Sequence, residues 1–303
     1  VEFRGLVFGR IRKLRRINSV TFHLVLKPTK PYIQVMKRWL PFIKTPPLIS
    51  VIRLSGTIAS GGRFGAQNLN DAGTADLIER AFTRGKPKAV ALLVNSPGGS
   101  PVQSSLIAAR IRRLAEEKKI PVYAFVEDVA ASGGYWLASA ADEIFVDVSS
   151  IAGSIGVISA SFGFNQFMEK QGIERRVHTA GKDKSMMDPF RPERAEDVKR
   201  LKALQQQIHN SFIAQIKSRR GERLAENKDL FTGEIWVGEN AVSVGLADGI
   251  GHLVPKMKEV FGDKAIFAVH GPKRSLIQRF GVQVASDAIG VVEDRALWAQ
   301  YGL

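Results

Sequence analysis

The 303-residue chain contains no cysteine, so disulfides, thiolate zinc sites and cysteine nucleophiles are all excluded. A chain without thiols is compatible with either side of a membrane, so the absence does not fix a compartment. No window of about eighteen uncharged apolar residues occurs, and no transmembrane helix is expected. An uninterrupted apolar core ending in a small-residue cleavage site is missing too, which argues against a secretory signal. Histidines are few. His23, His178, His209, His252 and His270 lack metal-ligand spacing, and each reads as a surface or satisfied polar residue. Acids are almost missing from residues 1–45, where eleven Lys or Arg face only Glu2.

That imbalance places +10 of the net +15 charge in the first 45 residues. A basic chain invites a nucleic-acid reading, but the charge belongs to this leader and not to the body, so no nucleic-acid partner is expected. The leader mixes its cations with Phe3, Leu6, Phe8, Ile11, Leu14, Phe22, Trp39 and Phe42. This pattern suits peripheral contact with an anionic membrane, and equally a solvated tail. "TPPLIS" at 45–50 marks the boundary. The expected organisation is a leader at 1–45, one folded domain at 46–262 and an extension at 263–303 that could serve subunit contacts.

Past the boundary, apolar runs of strand length alternate with helices. "LISVIRLSGTI", "KAVALLVN" and "PVYAFVE" read as buried strands. Residues 71–85, opened by a capping Asp71, and 100–119, with Ile107, Ile111 and Leu114 on one face, read as helices. "DEIFVD" (142–147) and "SIGVIS" (154–159) have strand character. A long helix over 193–219 carries Leu201, Leu204, Ile208, Phe212 and Ile216 in one stripe. Strands that are apolar throughout imply a sheet covered on both faces, an α/β fold with parallel elements.

Three glycine-containing junctions follow strands. In "NSPGGS" (95–100), Gly98 and Gly99 let two backbone N–H groups turn toward one point, as an oxyanion requires; a plain strand-to-helix turn uses the same residues. In "VAASGGYW" (129–136), Ser132 stands between a strand ending near Glu127 and a helix beginning around Gly134, with the Gly133 N–H beside it. A serine there is either an exposed nucleophile or a helix cap. No histidine is an evident base for it. Lysine can take that role once burial disfavours its ammonium form. "TAGKDKSMMDPF" (179–190) offers Lys182 and Lys184, with Met186, Met187 and Phe190 near enough to dry out an amine, unless both lysines stay in water.

"NSPGG", "VAASGGYW", "SIAGSIGV" and "GKDKSMMDP", in that order across about residues 48–260, resemble the signature of the SppA-type signal peptide peptidases (protease IV). The resemblance implies a ClpP/crotonase-like fold of repeated β-β-α units. It further implies a Ser–Lys dyad peptidase that needs no metal or cofactor and assembles as a ring-shaped homo-oligomer. Carried over, Ser132 matches the nucleophile and Lys184 the general base, since Lys184 fits the K-x-x-x-(S/D)-P context and Lys182 lies two residues early. Ser154 matches the lysine-orienting serine, and Gly98, Gly99 and Gly133 match the oxyanion-hole donors. The implied substrates are apolar peptides such as signal-peptide remnants, cleaved at or near a bacterial inner membrane or in the cytoplasm. A crotonase-like acyl-CoA enzyme and a non-catalytic membrane-surface scaffold are the alternatives.

Overall fold

The computed structural model describes residues 45–60, 68–181, 184–227, 229–271 and 295–303. The leader reading at 1–44, Lys182 and most of the expected C-terminal extension lie outside them. In chain order, the described strands and α-helices begin with β1 (Leu48–Ser55), α1 (Asp71–Thr83), β2 (Ala89–Ser96), α2 (Pro101–Lys118), β3 (Val122–Ala131) and α3 (Gly133–Ala138). Then follow β4 (Glu143–Val146), β5 (Ile151–Gly153), α4 (Asn165–Lys170) and α5 (Ala195–Arg220). The last are β6 (Ile235–Val237), α6 (Glu239–Ser243), β7 (Gly249–Ile250), α7 (Leu253–Phe261) and β8 (Ile266–His270). The main path of the sheet runs β6-β5-β3-β2-β1-β8, with β4 and β7 extending from β3. All pairings are parallel except β5 with β6.

The continuous apolar runs resolve into two faces because successive side chains on a strand point oppositely. Val90, Leu92, Val94, Val122, Ala124 and Val126 join Ile107 and Ile111 of α2 in the larger core. Ala89, Ala91, Tyr123 and Phe125 turn the other way, onto Phe145 and Met257 of α7. The expected α/β arrangement is therefore present, with helices on both sides. Register is in phase from β1 to β3: Ile49 lies beside Ala89, and Val90 beside Val122.

Four local expectations are corrected. Asn70, not Asp71, caps α1, its side chain accepting from the Gly73 N–H at 2.8 Å. Asp71 instead takes a two-pronged bond from Arg110, both contacts 2.8 Å, and the guanidinium holds the Asp71 carboxyl below its ordinary range. The strand expected at 154–159 is β5 at 151–153, and β3 runs on to Ala131 and not merely to Glu127. Along α5, Phe212 and Ile216 are buried, whereas Leu204 and Ile208 are exposed. Only the C-terminal half of that helix is packed into the core, so the expected apolar stripe is half used.

Candidate active site

Ser132 sits where β3 ends and α3 begins. Its backbone is left-handed (φ 51°, ψ −122°), a region that a non-glycine residue occupies at a cost of about 1–3 kcal/mol. The side chain makes no capping bond to α3, so the helix-cap reading of this serine fails. Among the described residues the hydroxyl has no hydrogen-bond partner at all. Backbone bonds hold the strain: the Ser132 N–H donates to Gly153 O at 2.8 Å and its carbonyl accepts from Trp136 N–H at 3.1 Å. Tyr135, Trp136 and Leu137 are then sunk into the core, with the Tyr135 hydroxyl donating to Leu246 O at 2.7 Å. Burial pushes that phenol well above its ordinary range.

The paired glycines after Ser132 serve close approach. A Cβ on Gly134 would overlap the Ser96 carbonyl of β2, and one on Gly133 would overlap the Ser104 hydroxyl of α2. The "NSPGGS" junction comes in from the other side. Gly98 (φ 108°) is so near that a Cβ there would lie 2.8 Å from Ser132 Cβ and 2.9 Å from Gly133 N. A Cβ on Gly133 would lie 3.4 Å from Gly99 N, so those two segments converge beside Ser132. Their donors are not equivalent. The Gly98 N–H is taken by Ser96 Oγ at 3.2 Å, whereas the N–H groups of Gly99 and Gly133 bond to none of the described residues. Two free donors next to an unbonded, strained serine form an arrangement that can hold a developing oxyanion.

Ser154 follows β5 directly and is also left-handed, φ 49°. Its N–H donates to Glu234 O at 2.8 Å, its carbonyl accepts from Gly156 N–H at 2.9 Å, and Tyr301 donates to its hydroxyl at 3.3 Å. Because Gly153 O receives the Ser132 N–H, the two strained serines are tied through one peptide unit. Lys184 stands apart. It is exposed, and no hydrogen bond joins its amine to Ser132 or Ser154 among the described residues. The expectation that Met186, Met187 and Phe190 dry out this amine is thus not met within one chain: Met187 and Asp188 line a surface cleft, and the lysine is exposed. Among the described residues, no histidine bonds to Ser132 either. His209 is bonded to Ile155 O at 3.1 Å, and His252 to Asp147 at 2.8 Å.

Sequence reasoning passed over Tyr301, and it read His209 as a surface or satisfied polar residue, which the bond to Ile155 O bears out. Tyr301 carries no motif, and its approach to Ser154 spans 147 positions of chain. His209 had a usable signal, since it lies three and seven residues before Phe212 and Ile216 on the buried stripe of α5.

A strained serine at a strand-to-helix junction, facing two free backbone donors in a largely parallel α/β sheet, is an arrangement suited to acyl transfer through a serine. The chain belongs to peptidase family S49. The sequence profile of that family matches residues 114–261, and a putative protease of Synechocystis is 30% identical over 205 residues, covering 67% of this chain and 69% of the relative. A putative signal peptide peptidase SppA of Enterococcus faecium is 30% identical over 207 residues, covering 67% and 60%. Proteins named Na(+)/H(+) antiporter NhaA in Brucella melitensis and Brucella abortus are each 46% identical over 287 residues, covering 89% of this chain and 39% of the relative. The chain therefore spans well under half the length of those antiporter-named relatives. Among the described residues, no helix is long and apolar enough to cross a membrane.

Proposed function

We propose that this chain is a serine endopeptidase in which Ser132 is the nucleophile and Lys184 the general base. The observation that carries this reading is the Ser132 hydroxyl, uncapped on a strained backbone beside the unpaired N–H groups of Gly99 and Gly133. The neutral Lys184 amine takes the Ser132 proton as Oγ bonds to the peptide carbonyl carbon. The Gly99 and Gly133 N–H groups bind the resulting oxyanion, each such donor contributing about 3 kcal/mol. Collapse breaks the C–N bond, and the Lys184 ammonium gives its proton to the departing amine. Water then attacks the acyl ester, its proton passing to Lys184 and from there to the departing Ser132 Oγ, which restores the neutral amine and the hydroxyl. Ser154 orients the lysine amine.

This reading requires Lys184 to leave solvent, and assembly is the means we assign. The segment that carries it exposes Ile158, Phe162 and Phe167 by 83%, 81% and 59%, a density of apolar surface that suits contact with further copies of the chain. In a homo-oligomeric ring the amine would be buried against a neighbour, which favours its neutral form. The substrates are extended apolar peptides, signal-peptide remnants among them. Residues 1–45 supply the peripheral contact with an anionic bacterial inner membrane.

Intact-mass analysis after exposure to a fluorophosphonate probe tests the dyad. One adduct on the wild-type oligomer, mapped to Ser132 and lost in both Ser132→Ala and Lys184→Ala, is the expected result. Wild-type labelling by Lys184→Ala would remove the lysine from the mechanism.

A further inference from the structure

We infer that His209 is a positioning residue for the reaction, acting through the peptide that follows Ser154. The inference rests on the role proposed for Ser154 above.

Ser154 must hold its hydroxyl in one place while its own backbone sits in an unfavourable conformation, φ 49°. Strain of this kind persists only where the surroundings over-determine it. On the entry side the Ser154 N–H is bonded to Glu234 O at 2.8 Å, and a tight turn closes from Gly156 N–H to Ser154 O at 2.9 Å. The centre of that turn is Ile155, whose side chain is fully buried in the main core. The carbonyl of Ile155 is therefore the exit of the strained unit, and its partner is the His209 Nε2–H at 3.1 Å. A carbonyl only accepts, so Nε2 donates, and it does so in the charged ring or in the Nε2–H tautomer alike.

The position of His209 on α5 makes this more than an isolated bond. From His209 onward, α5 is fastened to the other half of the site. Phe212 stacks on Trp136 of α3, with ring centroids 4.7 Å apart and planes 16° from parallel. Arg219 donates to Ser139 O and Ala141 O just past the end of α3, at 3.1 and 3.0 Å. Helix α3 begins at the residue after Ser132. One rigid helix thus grips the element that follows the nucleophile and, through His209, the turn that follows Ser154. Without the His209 bond, the Ser154 turn keeps its entry bond and loses its tie to the helix that registers it against Ser132.

A positioning role predicts a loss in kcat, with KM little changed, that exists only while Ser154 has a hydroxyl to position. His209→Ala, His209→Gln, Ser154→Ala and the His209→Ala/Ser154→Ala double variant would be compared by steady-state peptide cleavage, with thermal unfolding run on each. For His209→Ala, kcat is expected to fall about tenfold, a small misplacement of a reacting group sufficing for losses up to about a hundredfold. His209→Gln, whose amide N–H has similar reach, is expected to recover most of it. In the Ser154→Ala background, removing His209 is expected to change kcat less than twofold, because coupled residues are non-additive. Equal losses in both backgrounds would reduce His209 to a structural part, and wild-type kcat in His209→Ala would overturn the inference directly. If Ser154→Ala is itself as active as wild type, the Ser154 role fails and this inference falls with it. If Ser154→Ala is impaired and His209→Ala is not, only the inference falls.

Discussion

Ser132, the proposed nucleophile, and Lys184, the lysine proposed to activate it, lie in regions built to opposite rules. From β3 into α3, Val129 to Ala131 and Gly133 to Ala141 are all buried, and backbone bonds and a stacked ring pair hold the strained Ser132 between them. From about Ile158 to Arg194, most of the described residues are exposed and the rest half-buried, regular structure among them is limited to the short α4, and large apolar side chains face water. A chain can complete the first kind of region alone. The second sets large apolar side chains such as Ile158, Phe162 and Phe167 among charged ones at a surface, which suits an element that finishes packing against something else. The proposed oxyanion donors and nucleophile are preorganised within one chain, and the proposed base is not.

If that contrast is sound, substitutions in the first region act on stability and those in the second do not. Trp136→Ala is expected to have the largest effect. It empties a buried site that is 6% exposed and stacked on Phe212, and such truncations cost about 3–5 kcal/mol. Denaturant unfolding with an unchanged m-value would measure it; a loss under 1 kcal/mol would mean the Ser132 region is looser than its contacts suggest. Asp248→Asn comes next. Arg220, with its side chain 1% exposed, bonds Asp248 at 2.7 and 3.1 Å, and breaking a buried pair from one side costs about 3 kcal/mol at neutral pH. Burial alone would raise the Asp248 carboxyl, but the bonds from Arg220 and from the Ile144 N–H outweigh it and hold the group below its ordinary 3.8. The folded value lies below the unfolded one, so the carboxylate stabilises the fold above about pH 4. That contribution is lost as pH falls through the folded value. Unfolding curves for wild type and Asp248→Asn should therefore converge in acid; a gap that persists there would point to lost packing instead of lost charge.

Gly134→Ala should follow, at about 1–3 kcal/mol. The added methyl meets the Ser96 carbonyl, which is backbone and cannot swing aside. Relief requires α3 to move off β2, taking Ser132 with it, so probe labelling of Ser132 should fall well beyond the loss of folded protein. Labelling that merely tracks the folded fraction would show that the nucleophile tolerates a displaced helix.

What the sequence makes legible divides along the same line. The strands and helices from 48 to 138 are readable because local pattern and final packing agree: "KAVALLVN" is apolar throughout because both its faces are covered, and Ile107, Ile111 and Leu114 are buried as their spacing implies. Ser132 is legible as a site by its glycines, although not its left-handed backbone, which follows from contacts with β2 and β5. Reading fails where pattern and packing part. In α5, Leu204 and Ile208 continue the stripe of Phe212 and Ile216 but find no core beneath them. Around Lys184, the methionines suggest a dry amine that a single chain does not create. Gly98 matches a donor motif, yet its N–H is spent on Ser96, a detail that depends on three-dimensional geometry.

The smallest expected effect on stability is the most informative about the second region. Phe162 is 81% exposed, and substitutions at such positions usually stay within about 0.5 kcal/mol. Phe162→Ser should therefore leave the unfolding midpoint of the isolated chain unchanged, in contrast to Trp136→Ala. Were the ring only a surface residue, nothing else would change. If instead the segment packs against another copy, the variant loses contact area that wild type gains only on assembly. Its sedimentation profile should then shift to smaller species at a given concentration. Peptidase activity should fall in the same proportion and recover as protein concentration rises, because the Lys184 amine reaches Ser132 only in assembled enzyme. Activity that stays constant across dilution would show that a single chain closes its own dyad, and the contrast between the two regions would then be one of mobility and not of completion.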